Sequence, residues 1–320
     1  MNKRVYGILG ISSIMSNWNA DFTGYPKTIS TGEIFGSDKA LKYPIKKMWD
    51  NEGQKVLYIK SMKLSKGKSE VVLVPRSLKE RYEYLFEEED LKKCKDSGKV
   101  LSNLFSCIDV KNFGATFAEE GNNISITGAV QIGQGFNKYD ESYAEEQQIL
   151  SPFRDPTEKP NKKSKNQEEG EEAKNSTLGS KIVSNEAHYV YPFVINPLAY
   201  KEFEELGVTD GYTENDYNKF KNAALCAATS FSTNAKVGCE NEFALFVETE
   251  SNTYLPTLSE YVTFEKGEEK NIIKLNCGDL INSLGDRIIS VELYYNPYKT
   301  EILTDIKGVK NFNIFTKQEV

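Results

Sequence analysis

The chain has 320 residues, 39% of them hydrophobic and 12% aromatic, with a formal net charge of −7. That apolar content supplies a real core, for one large domain with insertions or for two smaller ones, and excludes a wholly disordered protein. The acidic balance excludes a uniformly basic nucleic-acid binder, because phosphate contacts need a positive field, so the distribution of charge matters more than its sum.

The first elements carry the main local signal. Arg4 to Ile14 reads as a buried strand, with Val5, Leu9 and Ile11 on one face. An Asn/Gly/Pro loop follows, Asn19-Ala-Asp-Phe-Thr-Gly-Tyr-Pro-Lys-Thr28, and then a helix with Ser37 as its N-cap and Pro44 blurring its boundary. At 100° per residue Lys39, Lys42 and Lys46 fall within a sector of about 60°, opposite Leu41, Ile45 and Met48, so one face is buried and the other offers ammonium groups. From Lys27 to Lys66 nine lysines face four acidic residues, against the global charge. A positive edge of this kind, preceded by a loop rich in amides and hydroxyls, suits a polyanion. The competing reading is an ordinary solvated helix face.

A second strand is predicted over Val56 to Met62. Lys66 to Ile108 reads as an inserted, mostly helical subdomain, with Ser77-Leu-Lys-Glu80 as a capping box and Val100, Leu101, Leu104, Phe105 and Ile108 as an apolar stripe. Lys111-Asn-Phe-Gly-Ala-Thr-Phe117 partly mimics the first RNA-contacting motif of RRM domains, but Phe113 and Phe117 read as core or loop packing. Asn123 to Gly133 alternates as a strand. Gly133-Gln-Gly135 lacks a third glycine and a following helix, so it reads as a turn or bulge and not as a dinucleotide site. Ser151 to Ser180 has almost no large apolar residue and is expected to be the mobile tip of a long excursion. Structure resumes as a strand at His188 to Ile195. A helix starts at Thr213 with Tyr217, Phe220, Ala224, Ala227, Ala228 and Phe231 on one stripe; strands follow at Glu242 to Glu248, Ile272 to Leu275 and Arg287 to Tyr295, with a short helix near Asp279 to Leu284. This order fits an α+β fold built on a split βαβ sheet with helices on one side.

Catalytic material is sparse. The single histidine, His188, lies in an aromatic strand and reads as structural or surface, not as an acid or base. Asp21 reads first as a turn-forming residue ahead of Thr23-Gly24, with a metal-holding or water-orienting aspartate as the alternative. Five cysteines, widely spaced and without a CxxC pair, predict reduced thiols in a cytoplasmic protein and no zinc site. The N-terminal apolar stretch breaks at Ser12, Ser13 and Asn17, too short and polar for a signal peptide or a membrane span. No cofactor is expected.

Asn19, Asp21, Gly24, Pro26, Lys27 and Thr28, then Ser37, Leu41 and Lys42, resemble the Asn-x-Asp-x-x-Gly-x-Pro-Lys-Thr loop and Ser-x-x-x-Leu-Lys helix of the backbone subunit of Cascade-type CRISPR effector complexes. Ile108-Asp-Val-Lys-Asn-Phe-Gly114 with Gly128-Ala-Val-Gln131, and Asn234-Ala-Lys-Val-Gly238 after the long helix, look like later elements of the same family. Within it the chain looks most like the Csh-type subunit of type I-B systems. The resemblance implies an RRM-like (ferredoxin-like) palm over 1-65, 109-135 and 193-320, helical fingers over 66-108, and a thumb hairpin over 136-192. It implies a non-enzymatic RNA-binding subunit that polymerises with copies of itself along a guide crRNA, joins other Cascade subunits, contacts no membrane, and presents the guide to target DNA in antiviral defence. The RNA-binding residues it implies are Asn17, Asn19, Lys27, Thr28, Ser37, Lys39, Lys42, Lys46, Lys111, Asn112, Gln131, Asn234 and Lys236. Two other functions compete: a metal-dependent RNA endonuclease using Asp21, as in type III relatives, and a protein-interaction module whose basic face meets an acidic partner.

Overall fold

The computed structural model describes residues 1-66, 70-154 and 175-320, with the backbone alone at 150-154 and 175-178. The chain opens on β1 (Lys3–Ser16), whose residues from Val5 to Ser13 are buried on both faces, as a central strand requires. After the Asn/Gly/Pro loop come β2 (Phe35–Gly36) and helix α1 (Asp38–Asn51). Ser37 caps α1, its hydroxyl accepting from the Ala40 amide at 3.3 Å, and Leu41, Pro44, Ile45 and Trp49 form the buried face.

The second strand begins later than the sequence suggests. Residues 56-61 are bent, because the carboxylate of Asp109 takes the amides of Leu57 and Tyr58, each at 2.8 Å, before any strand partner does. An exposed hairpin follows, β3 (Met62–Lys66) and β4 (Val71–Pro75), whose second strand falls within the stretch read as mostly helical. Then come α2 (Leu78–Phe86), closed by the Ser77–Glu80 capping box, α3 (Ser97–Ser106) and α4 (Ile108–Phe113). The strand expected over Asn123 to Gly133 is divided into β6 (Ile124–Thr127), paired with β5 (Gly114–Phe117), and β7 (Val130–Ile132). Gly128 marks the break: a Cβ there would lie 2.2 Å from the Phe113 carbonyl carbon, so only glycine allows α4 and β6 to approach this closely.

Next are β8 (Gly135–Asn137), β9 (Ala144–Arg154) and the 21-residue β10 (Asn175–Ile195). The mobile tip expected from Ser151 to Ser180 lies mainly outside the described residues; its two ends, 151-154 and 175-180, are strand. The chain continues with α5 (Lys201–Glu205), α6 (Glu214–Ala224), capped by Thr213, and α7 (Ala227–Ser230). The single long helix of the sequence reading is thus two, separated at Cys226, whose φ of −143° is not helical. The remainder is β11 (Cys239–Glu250), β12 (Val262–Glu265), β13 (Asn271–Leu275), α8 (Gly278–Asn282), β14 (Ile288–Tyr295), β15 (Thr300–Thr304) and β16 (Lys310–Asn313).

The main sheet runs β16-β14-β11-β1-β10-β8-β2, with β7 and β9 also on β10. Its centre, β14 through β8, is antiparallel throughout. One face carries α1, α6 and α7 over a core that includes Trp18, Trp49, Phe193 and Phe220; the other carries β12, β13 and β15 over Ile8, Leu245 and Ile273. The alanines of α6 and α7 pack on this sheet as their spacing predicts, all four from Ala223 to Ala228 being buried. The chain is therefore α+β, covered on both faces of the central sheet. No helix among the described residues is long and apolar enough to cross a membrane.

His188 is buried on β10, stacked at 3.8 Å on Phe264, with Nδ1 2.7 Å from Glu242 and Nε2 2.9 Å from Glu186, which also pairs with Lys266. Burial alone would lower its pKa, but the two carboxylates outweigh it and raise it above 6.5. A raised histidine pKa stabilises the fold fully below the unfolded value, about 6.5, and that contribution disappears as pH rises through the folded value. His188→Gln is expected to flatten the fall of melting temperature with pH above about pH 6.5 that the parent shows. Parallel melting-temperature and pH series on the two proteins check this; equal slopes refute it.

Candidate nucleic-acid interface

The loop between β1 and α1 is a ladder of short contacts. Trp18 anchors its start, its Nε1 donating to the Tyr191 hydroxyl at 2.6 Å in the core. Ala20 bridges Pro26 and Thr28 bridges Ile34, while the amide of Lys27 reaches the Asn19 carbonyl at 2.9 Å. Asn19 Oδ1 accepts from the Ser37 amide at 2.8 Å, so this side chain ties the loop to the start of α1. Asn17 is buried, donating through Nδ2 to Gly24 O at 2.8 Å and to Ile182 O on β10 at 3.2 Å. The Tyr25 hydroxyl reaches Glu146 on β9 at 3.1 Å. The loop therefore leans on the base of the β9–β10 hairpin.

Asp21 is the turn former of the simpler sequence reading. Its Oδ1 accepts from the amide and hydroxyl of Thr23, both at 2.7 Å, and from the Tyr25 amide at 3.2 Å. The Thr23 hydroxyl bond, with these amides, holds the carboxyl below the ordinary aspartate range. Gly24, at φ +90°, supplies the left-handed residue that closes the turn.

The lysines separate into two kinds. Lys39 and Lys27 make no side-chain hydrogen bond or ion pair among the described residues, and Lys39 is exposed. Lys42 pairs with Asp38 at 2.9 Å and sits over the Phe113 ring at 5.3 Å. Lys46 lies over Tyr58 and Phe113 with its Nζ 4.0 Å from Asp109; burial lowers its pKa, partly offset by that carboxylate. The continuous lysine face expected from helical spacing is thus interrupted. Phe113, stacked on Trp49, lies under the ammonium groups of both Lys42 and Lys46, whose side chains are largely buried.

The turn 233-238 joins the loop from the other side. Ala235 O accepts from the Asn17 amide and Gly238 O from the Ile14 amide, each at 2.9 Å. Asn234 is exposed there, whereas Lys236 turns inward, donating to the carbonyls of Asn17 and Trp18 and lying over the Trp18 ring; burial lowers its pKa. One edge accordingly gathers Asn17, Asn19, Lys27, Thr28, Ser37, Lys39, Asn234 and Lys236.

Three residues expected to join them do other things. Lys111, at the end of α4, pairs with Asp210 and with Asp216 of α6. Asn112 is fully buried; its Nδ2 donates to Ile108 O at 2.8 Å and its Oδ1 accepts from Tyr212 at 2.7 Å, so neither amide atom is available to a ligand. Gln131 is exposed on β7, its Nε2 held by Gly128 O, beside a cleft of about 290 Å³ lined by Tyr6, Gly7, Gly133, Pro192 and Leu255. Phe117 is core, and the RRM-like run Lys111 to Phe117 is half helix. Sequence reasoning passed over Phe22, which the loop holds entirely in solvent; its only signal is an aromatic residue amid Asn, Gly and Pro. Among the described residues no three metal-ligating side chains converge.

Comparison with known proteins adds the lineage. The fold resembles a chain of a solved structure titled "CRISPR RNA-guided surveillance complex, pre-nicking", at 14% identity and a TM-score of 0.53, over 98% of this chain and 97% of that one. A second, titled "CRISPR RNA-guided surveillance complex", aligns at 13% identity and a TM-score of 0.47, over 92% and 91%. No protein of curated function matches. The family described as CRISPR-associated protein Cas7 matches residues 3–280, from the first strand to the helix α8, and the chain belongs to that family.

Proposed function

We propose that this protein is an RNA-binding backbone subunit of a type I CRISPR interference complex, several copies of which line a guide crRNA and present it to target DNA. The observation that carries this is the edge formed by the loop 17-28, the start of α1 and the turn 233-238, where Lys27 and Lys39, unpaired among the described residues, stand with the exposed Thr28 and Asn234 in a Cas7-family chain. Backbone-directed cations and polar donors hold phosphate and sugar without reading sequence, which suits a subunit that must accept any guide. The solved relative with the same fold is part of an RNA-guided surveillance complex, which supports further copies and other Cascade subunits as partners.

The palm reads as RRM-like. The order β11-β1-β10-β8, antiparallel throughout, with α1 after β1 and α6 before β11, supports a ferredoxin-like arrangement. Residues 66-108 serve as fingers and 136-192 as the thumb, with β9 and β10 as its hairpin, and the motifs of the chain resemble those of the Csh-type subunit of type I-B systems. We assign no catalysis, because the one aspartate that a nuclease reading needs, Asp21, has Oδ1 committed to three hydrogen bonds that shape its own turn.

Fluorescence anisotropy with a labelled single-stranded RNA of arbitrary sequence tests this. Binding that is indifferent to sequence and falls linearly in log K with log salt is expected; absence of RNA binding at low salt refutes the proposal. Incubation of the protein on its guide with complementary RNA and a divalent metal is expected to leave the RNA intact. Cleavage that Asp21→Asn abolishes would establish the nuclease reading instead.

A further inference from the structure

Phe22 is a large apolar side chain, fully exposed and without a packing partner among the described residues, at the tip of a turn that has little freedom. The turn beneath it is fixed by the Asp21 carboxylate, by the Ala20–Pro26 bridge and by Asn17 Nδ2 on Gly24 O at 2.8 Å. The ring is therefore held out in water by an ordered backbone, a placement the hydrophobic effect opposes unless something covers the ring. Its surroundings say what kind of cover fits. Within the loop itself, from Asn19 to Thr28, only Tyr25 is another exposed large hydrophobic, so the loop alone offers far too little apolar area for a stable protein interface. The same loop carries Thr23, Tyr25 and Lys27, with the Thr23 hydroxyl on Asp21 and the hydroxyls of Tyr25 and Ser180 on Glu146. One exposed flat aromatic face, in a loop that also carries hydroxyls and Lys27, suits the alternation of base and sugar-phosphate along a single strand.

We propose that Phe22 is a stacking plate for a nucleobase of the strand held along this edge. The inference rests on the RNA-binding reading above and adds a contact that is apolar and independent of charge. Its salt behaviour therefore separates it from the lysines: a stacked base releases no counterion.

Two variants of the full chain test it. Phe22→Ala is expected to weaken binding of poly(U) RNA by about 5- to 150-fold, the range for loss of a stacking aromatic, with the salt slope unchanged. Phe22→Trp is expected to bind as the parent does and to report directly. Trp18 and Trp49 are each only 1% exposed, so the new indole is the one acrylamide reaches, and RNA is expected to quench it and shield it from acrylamide. Quenching by poly(U) alone assigns the plate to the guide-side strand, and quenching that needs complementary poly(dA) assigns it to the opposite strand; both support stacking. Undiminished RNA affinity of Phe22→Ala, with the emission of Phe22→Trp unmoved at saturating RNA and after poly(dA), overturns the stacking role and leaves the RNA-binding reading intact. Failure of the parent itself to bind RNA overturns that reading and this inference together. Unchanged RNA binding with lost self-association, seen by sedimentation, overturns stacking in favour of a protein contact.

Discussion

Asp109→Ala is expected to destabilise the protein by roughly 2–5 kcal/mol, the range for leaving buried amides and a partly buried charge without partners. Asp109 has almost no solvent exposure, and its two oxygens hold the amides of Leu57 and Tyr58 at 2.8 Å while the Lys46 ammonium sits 4.0 Å away. No neighbouring group replaces these bonds, because residues 56-61 have no strand to pair with. For a chain of this size, at about 1.5 °C per kcal/mol, the loss corresponds to a melting temperature lower by about 3–7 °C. Asp109→Asn retains one acceptor and turns a donor toward the second amide, so it should fall between the parent and the alanine variant. Scanning calorimetry of the three proteins decides the matter; an Asp109→Ala melting point within about 1 °C of the parent, less than about 1 kcal/mol, would remove the carboxylate from the account.

Replacing Lys27 and Lys39 together by alanine is expected to lower the slope of log K against log salt by about 2, about one for each lost phosphate contact. Affinity should drop most at low salt and converge with the parent at high salt, where counterion release no longer favours binding. Arginine at both positions should preserve the slope. Lys42→Ala and Lys46→Ala form the contrast: both lysines are engaged with carboxylates and lie over Phe113, so their loss should act on stability and leave the salt slope alone. Anisotropy titrations at several salt concentrations measure all four variants. A slope that falls in Lys42→Ala and not in the Lys27 and Lys39 double variant would place the strand on the other side of α1.

The parts of the fold that the sequence discloses are those governed by local rules. Ser37 and the Ser77–Glu80 pair announce their helices because a cap needs only neighbours three residues on, and β1 and β11 stand out because both faces are buried. The hairpin β3–β4 escaped because Leu64, Val71, Val72 and Leu73 are all exposed, so no alternation between core and solvent marks its strands. The motif Asp109-Val-Lys-Asn-Phe-Gly114 was visible as a unit, but its duty was not. Asp109 holds a loop about fifty residues upstream and Asn112 meets Tyr212 a hundred residues downstream, and no spacing rule reports contacts at that range. The same holds for the lysines: helical periodicity gives their direction, while the ring of Phe113 that lies under two of them arrives from another element.

β10 begins in the β9 hairpin and continues without interruption into the middle of the main sheet, where it is paired with β1 from Ser184 to Ile195. Mechanically it is a cantilever with a built-in root. Among the described residues β9 is the one strand paired with its outer part, while the root is clamped between β1 on one side and β7 and β8 on the other. A load on the hairpin in the strand direction shears a whole ladder of hydrogen bonds in parallel, so it cannot peel them one at a time. A load across the strand bends the hairpin about residues 184-188, close to where Asn17 and Tyr25 meet its base. Whatever grips the hairpin thus pulls stiffly on the main sheet in one direction and swings against the loop 17-28 in the other.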